Sequence, residues 1–109
     1  SNSATSSPFH RVDLQRDPPG TYEALIAEAA AAGKPVLLDF GAHWCKACHL
    51  MDSTTLRDPR VLEKLSTHFA IQIIADHPNQ LPARDLLRPL SIQGFPTYLL
   101  YPAPPLAEK

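Results

Sequence analysis

Cysteine is scarce, with two residues in 109, which excludes a scaffold stapled by several disulfides. Runs of Lys or Arg are absent, and 10 basic residues against 11 acidic ones leave a formal charge of −1, so there is no electrostatic footprint for nucleic acid or for an anionic membrane surface. Internal repeats are absent as well. The first eight residues are a Ser/Thr/Asn-rich stretch with neither a basic start nor an apolar centre, so they do not form a secretory signal and leave the compartment unspecified. The longest charge-free stretch, Pro89 to Ala107, is interrupted by Gly94 and by prolines at 96, 102, 104 and 105, which excludes membrane insertion of this segment.

What remains is a chain with 44% apolar residues and a length suited to one domain. Phe9 to Leu14 alternates imperfectly and reads as a short edge strand. After the turn Asp17-Pro18-Pro19-Gly20, Thr21 is expected to cap a helix with an apolar face of Tyr22, Leu25, Ile26 and Ala29, stopped by Gly33. The nearly unbroken apolar run Pro35 to Phe40 is expected to be a central strand covered on both faces. A helical pattern runs from Trp44 to about Ser53. Asp58-Pro59 then supplies a cap and a first-turn proline for a short helix, Arg60 to Ser66, and the two segments together read as one kinked element. Phe69 to Ala75 is a second apolar strand, 82 to 88 a short helix, and Gly94-Phe95-Pro96 a turn into a strand from Thr97 to Tyr101. Helices alternating with apolar strands predict an α/β domain with a mixed sheet.

Chemistry concentrates in Trp44-Cys45-Lys46-Ala47-Cys48-His49. On the first turn of a helix, a spacing of three puts Cys45 and Cys48 on one face within disulfide reach. Closing so short a loop removes little entropy from the unfolded chain, so the pair is built to react rather than to hold. Unpaired backbone N–H groups and the helix dipole favour a thiolate at Cys45, the expected outer nucleophile, and Cys48 would resolve a mixed disulfide. Asp39 lies six positions before Cys45 in an apolar strand, where an ionised carboxylate needs a partner or a raised pKa; it is a candidate proton acceptor for Cys48, or else a solvated residue at a frayed strand end. Asp52 lies four residues after Cys48, either facing the thiols or on a solvated face. Two other chemistries use the same residues. Cys45 to His49 matches the C-x-x-C-H pattern of covalent haem attachment, and His43, Cys45, Cys48 and His49 offer enough N and S donors for zinc or copper.

Val36 to Cys48, Val-Leu-Leu-Asp-Phe-Gly-Ala-His-Trp-Cys-Lys-Ala-Cys, followed about fifty residues later by Gly-Phe-Pro-Thr, resembles the thioredoxin superfamily. Within it, the stretch from Lys34 to about Tyr101 is most similar to the C-terminal periplasmic domain of the DsbD thiol:disulfide interchange family, on the strength of Ala47 before the second cysteine and of Arg-Asp-Pro-Arg-Val at 57 to 61. The resemblance implies a thioredoxin-like fold over 9–109 after a disordered tag or linker at 1–8, with a mixed central sheet flanked by helices. It also implies that the chain stops short of that fold's last strand and closing helix, leaving a sheet edge open to self-association. The implied activity is thiol:disulfide exchange through the Cys45-Lys-Ala-Cys48 dithiol, passing reducing equivalents to periplasmic protein partners that carry disulfides or dithiols, with no cofactor and no metal. Pro96 would be cis and face the disulfide, Phe95 would offer its backbone to an extended partner segment, Thr97 would follow as in the family, and Trp44 would cover the disulfide. Asp52 stands where the family carries a glutamate, one methylene longer. The implied location is the bacterial periplasm, as a soluble domain of a larger membrane protein.

Overall fold

A computed structural model describes residues 7–104; most of the expected 1–8 linker and the chain after 104 lie outside the described residues. Strand β1 (His10–Asp13), helix α1 (Thr21–Ala32), strand β2 (Val36–Gly41) and helix α2 (Lys46–Ser53) are followed by a 3-10 turn at Thr55–Arg57. Helix α3 (Pro59–Leu65), strand β3 (Phe69–Ile74), helix α4 (Ala83–Leu87) and strand β4 (Thr97–Tyr101) complete the order. The strands form one sheet in the order β1-β3-β2-β4, with β2 and β1 parallel to β3 and β4 antiparallel to β2. This is the mixed α/β sheet expected, with β2 inside it as its apolar run demands.

Alternation along the strands divides the two faces. Val12, Leu38, Phe40, Ile71 and Ile73 belong to the core, with Phe40, Ile71 and Ile73 fully buried. The expected face of α1 packs into it through Tyr22, Leu25 and Ile26, and Ala29 is buried. Truncating Phe40 to Ala would remove about 3–5 kcal/mol. The residues between, Leu37, Asp39 and Gly41 on β2 and Gln72 on β3, point to the opposite side.

Helix ends follow their local chemistry, with one correction. Gly33 ends α1 in the left-handed region at φ 69°, as expected. Thr21, however, is not the cap of α1: Gly20 holds that position at φ 92°, and the Thr21 hydroxyl donates backwards to the Pro18 carbonyl at 2.7 Å. A capping oxygen has to accept from the following turn, and a hydroxyl already inside the helix points the wrong way. Asp58 caps α3 as expected, accepting from Arg60 N at 2.8 Å with Pro59 in the first turn. The segments on either side of residue 54 are separate helices rather than one kinked element, because the Ser53 and Thr54 hydroxyls both donate to the Leu50 carbonyl and the chain leaves helical geometry at Thr54.

Candidate active site

The cysteines sit where β2 hands the chain to α2. Cys45 is the residue before the helix, in extended conformation, and its sulfur accepts from the Cys48 N–H at 3.1 Å. A sulfur in the capping position takes the place of a Ser or Asp oxygen, so negative charge on it is met by a helical N–H donor and by the positive end of the dipole. Cys45 and Cys48 are joined as a disulfide with their Cα atoms 5.2 Å apart. Cys48 packs on the last residue of β2: a Cβ at Gly41 would lie 3.1 Å from its sulfur, tighter than an ordinary contact, so a side chain there would press on the disulfide. Contrary to the expectation of an exposed outer thiol, Cys45 is 5% exposed in this disulfide form, while Cys48 is half-buried.

The loop before the cysteines is clamped to the end of β3. The carboxylate of Asp76 accepts from the His43 backbone N–H at 2.7 Å and from its ring Nδ1 at 2.8 Å, and the Asp76 carbonyl accepts from the Trp44 indole at 2.8 Å. Burial would raise the pKa of Asp76, but the hydrogen bonds and charge of His43, with Arg16 beyond, outweigh it and hold the carboxyl below its usual range. The His49 ring donates to the His43 carbonyl at 2.6 Å. Trp44 is 61% exposed, its ring centre 5.8 Å from that of Phe95. The Phe95–Pro96 peptide bond is cis, as the resemblance implies, and so is Leu81–Pro82, which the sequence reading missed. Thr97 donates its hydroxyl to the Gly94 carbonyl at 2.6 Å, closing the turn that holds Phe95 and Pro96.

Beneath Cys48 lies a polar set. Strand register places Arg11, Gln72, Asp39 and Tyr98 in one row across the sheet. Asp39 is 4% exposed, so the solvated strand-end alternative does not hold. Burial pushes its pKa up to about 6; Gln72 works against that rise, the Asp52 charge adds to it, and the Arg11 charge lowers it. The same surroundings, burial first and then the charges of Asp39 and Asp52, push the Tyr98 hydroxyl up to about 12. Asp52 is half-buried, and the Gln72 amide donates to both Asp39 Oδ2 and Asp52 Oδ1 at 3.0 Å. A cavity of about 20 Å³ lined by Asp39, Gly41, Cys48, Asp52 and Gln72 joins the carboxylates to the inner cysteine. Sequence reasoning missed Gln72, Asp76 and Gly41. Gln72 had a readable signal as the sole polar residue in the run from Phe69 to Ala75.

The competing donor sets fare less well. Both sulfurs are taken up by the disulfide, which leaves neither for a thioether or a metal–thiolate bond in this form, and His49 is turned to the His43 carbonyl. Among the described residues the set that does converge is Asp13, His43 and Asp76, whose ligand atoms lie within 4.8 Å of one another. Those atoms are already engaged: Asp76 holds His43, and Asp13 Oδ1 accepts from the N–H groups of Gln15 and Arg16.

Comparison with known proteins agrees with this geometry. A family model described as "Thioredoxin-like" matches residues 17–103. The thiol:disulfide interchange protein DsbD of Salmonella paratyphi A is 42% identical over 79 residues, 71% of this chain and 13% of that protein. DsbD 1 of Pseudomonas aeruginosa is 36% identical over 85 residues, 76% of this chain and 14% of the relative. The chain thus spans roughly an eighth of the length of these curated relatives. Among solved structures, oxidised thioredoxin O2 of Arabidopsis thaliana superposes with a TM-score of 0.62 at 15% identity, covering 89% of this chain and 76% of that one. A thioredoxin from Thermus thermophilus gives 0.59 at 26% identity, covering 72% and 59%. No helix among the described residues is long and apolar enough to cross a membrane.

Proposed function

The chain belongs to the thioredoxin-like family, and from that premise we propose that it is a thiol:disulfide oxidoreductase whose Cys45–Cys48 pair passes reducing equivalents to disulfide-bearing proteins. The observation that carries this reading is the capping position of Cys45, whose sulfur receives the Cys48 N–H and is linked to the Cys48 sulfur. In the reduced form the Cys45 thiolate attacks one sulfur of a partner disulfide, forming a mixed disulfide and releasing the partner's other sulfur as a thiolate, which takes up a proton. Cys48 then gives its proton to the Asp39 carboxylate and attacks the Cys45 sulfur. The Cys45–Cys48 disulfide forms, the partner leaves as a second thiolate, and the Asp39 proton returns to it or to solvent. Two electrons pass from the domain's dithiol to the partner.

Asp39 and Asp52 face Cys48 across the small cavity, and a thiolate there meets two carboxyl groups, of which Asp39, its pKa pushed up to about 6, is largely ionised at neutral pH. That repulsion supports a gate: the free domain holds its inner thiol protonated until a bound partner reorganises the site. The Phe95–Pro96 turn, with Trp44 beside it, supports docking of an extended partner segment as an added strand. The similarity to DsbD supports a reductant in the periplasm, working as a soluble part of a longer membrane protein. The outer edge of β4, unpaired among the described residues, supports self-association.

Trapping tests the central reading. A Cys48→Ser variant incubated with a disulfide-bearing protein such as insulin is expected to accumulate a mixed disulfide through Cys45, seen by non-reducing electrophoresis and abolished in Cys45→Ser/Cys48→Ser. Failure to form an adduct with any disulfide-bearing protein or peptide would remove the assignment.

A further inference from the structure

Among the described residues, Asp39 and Gln72 are the buried polar or charged ones, 4% and 8% exposed, on the sheet face opposite the core. A polar group so placed needs partners, and for Gln72 they are unusual: both of its donor contacts run to carboxyl groups, Asp39 on the neighbouring strand and Asp52 on the helix above, each at 3.0 Å. Two acceptors converge on one atom of the side chain, and within an amide only the NH2 end, with two hydrogens, can serve both. The parallel register sets Gln72 directly beside Asp39, so the bridge is built by the strand pairing and not by a flexible reach.

We propose that Gln72 is a positioning residue for the proton step at Cys48: its amide ties Asp39 and Asp52 together and holds Asp39 in the ionised form that can accept the Cys48 proton. Hydrogen bonds donated to a carboxylate favour its charged state. Without them, Asp39 is left with burial and the Asp52 charge, both favouring the neutral acid, opposed by Arg11 alone. Tyr98 on β4 faces the same group and, as a neutral phenol, supplies no charge. His43 and His49 also line the cavity. A neutral acid cannot take a second proton, so Cys48 would lose its acceptor at neutral pH. The bridge also joins the two carboxyl groups through a single amide.

This inference rests on the proposed role of Asp39, and the experiment separates the two. The carboxyl signals of Asp39 and Asp52 are followed by carbon NMR across pH in the oxidised 109-residue chain, and resolution of the Cys45–glutathione mixed disulfide is timed across the same range by stopped flow. In Gln72→Leu the Asp39 midpoint is expected to rise by about one pH unit or more, with the resolution profile moving the same way and the rate at neutral pH falling about tenfold. In Gln72→Lys, which restores a donor and adds positive charge, both should move below wild type. A side chain that merely fills space would leave the Leu variant at the wild-type midpoint, with only the Lys charge lowering it. An Asp39 midpoint unchanged in Gln72→Leu, in protein whose amide spectrum is otherwise native, overturns the proposal; should Leu at 72 prevent folding, the near-isosteric Gln72→Met, which also lacks a donor, decides it in the same way. If instead Asp39→Asn leaves the resolution profile unaltered, the role of Asp39 itself falls, whatever Gln72 does to the titration.

Discussion

Replacing Asp39 by Asn should make the protein more stable, and only above a defined pH. Asn keeps an oxygen for the Gln72 amide, 3.0 Å away in the parent, and removes a charge from a residue that is 4% exposed. In the fold the Asp39 carboxyl titrates near 6, and in the unfolded chain near its ordinary 3.8. Below the lower value both states are protonated and the group makes no difference. As pH rises the unfolded chain ionises first, the folded state retains its proton, and stability declines until the folded pKa is passed. Above it the full difference applies, about 3 kcal/mol at roughly 1.4 kcal/mol per pH unit. Urea denaturation of the oxidised forms at several values between pH 3.5 and 7.5 reads this directly. Wild type and variant should coincide at the acid end and diverge towards neutrality, with a melting difference of roughly 10–20 °C for a domain of this size. A gap that does not vary with pH, or a variant less stable than wild type at pH 7.5, would refute the placement of an ionisable group in a desolvated row.

Gly41→Ala sets a methyl 3.1 Å from the Cys48 sulfur, which the disulfide prevents from yielding, so the oxidised form should lose about 1–3 kcal/mol and the reduced form less. Denaturation with and without reductant checks this, and equal losses would contradict it. Asp76→Ala removes both side-chain contacts to His43; because the Asp76 pKa is lowered in the fold, its contribution is present above the ordinary carboxyl value and lost as pH falls through the folded one. The stability difference between wild type and Asp76→Ala should therefore be no more than about 1 kcal/mol at pH 7, the range of exposed ion pairs, and should vanish in strong acid. A difference persisting at pH 2 would speak against the clamp.

The sequence was most readable where local chemistry decides the structure. The apolar run of β2, the Gly33 stop, the Asp58 cap and the cysteine spacing each act within a few residues, and each appears as expected. The burial of Asp39 was legible from its neighbours Leu38 and Phe40. Its partners were not, because Gln72 lies 33 residues away and meets it through strand register, which a single sequence does not display. The reach of Asp52 was open for the same reason: its shorter side chain engages an amide brought up from β3, and spacing along α2 alone says nothing of that donor. The Thr21 cap failed on direction, since a hydroxyl can donate as readily as it accepts and here found a carbonyl behind it. His43 drew notice as a metal ligand, and its actual anchor, Asp76, is another residue 33 positions on.

β4 begins immediately after the cis Phe95–Pro96 bond, and its first residue, Thr97, is paired with Phe40, next to the glycine that ends β2 below the inner sulfur. The turn that would greet a visiting chain and the strand that launches the reactive helix are therefore neighbouring rungs of one ladder. Their separation is set by main-chain hydrogen bonds, so the distance from the cis turn to the inner sulfur belongs to the sheet itself and does not depend on any one side chain.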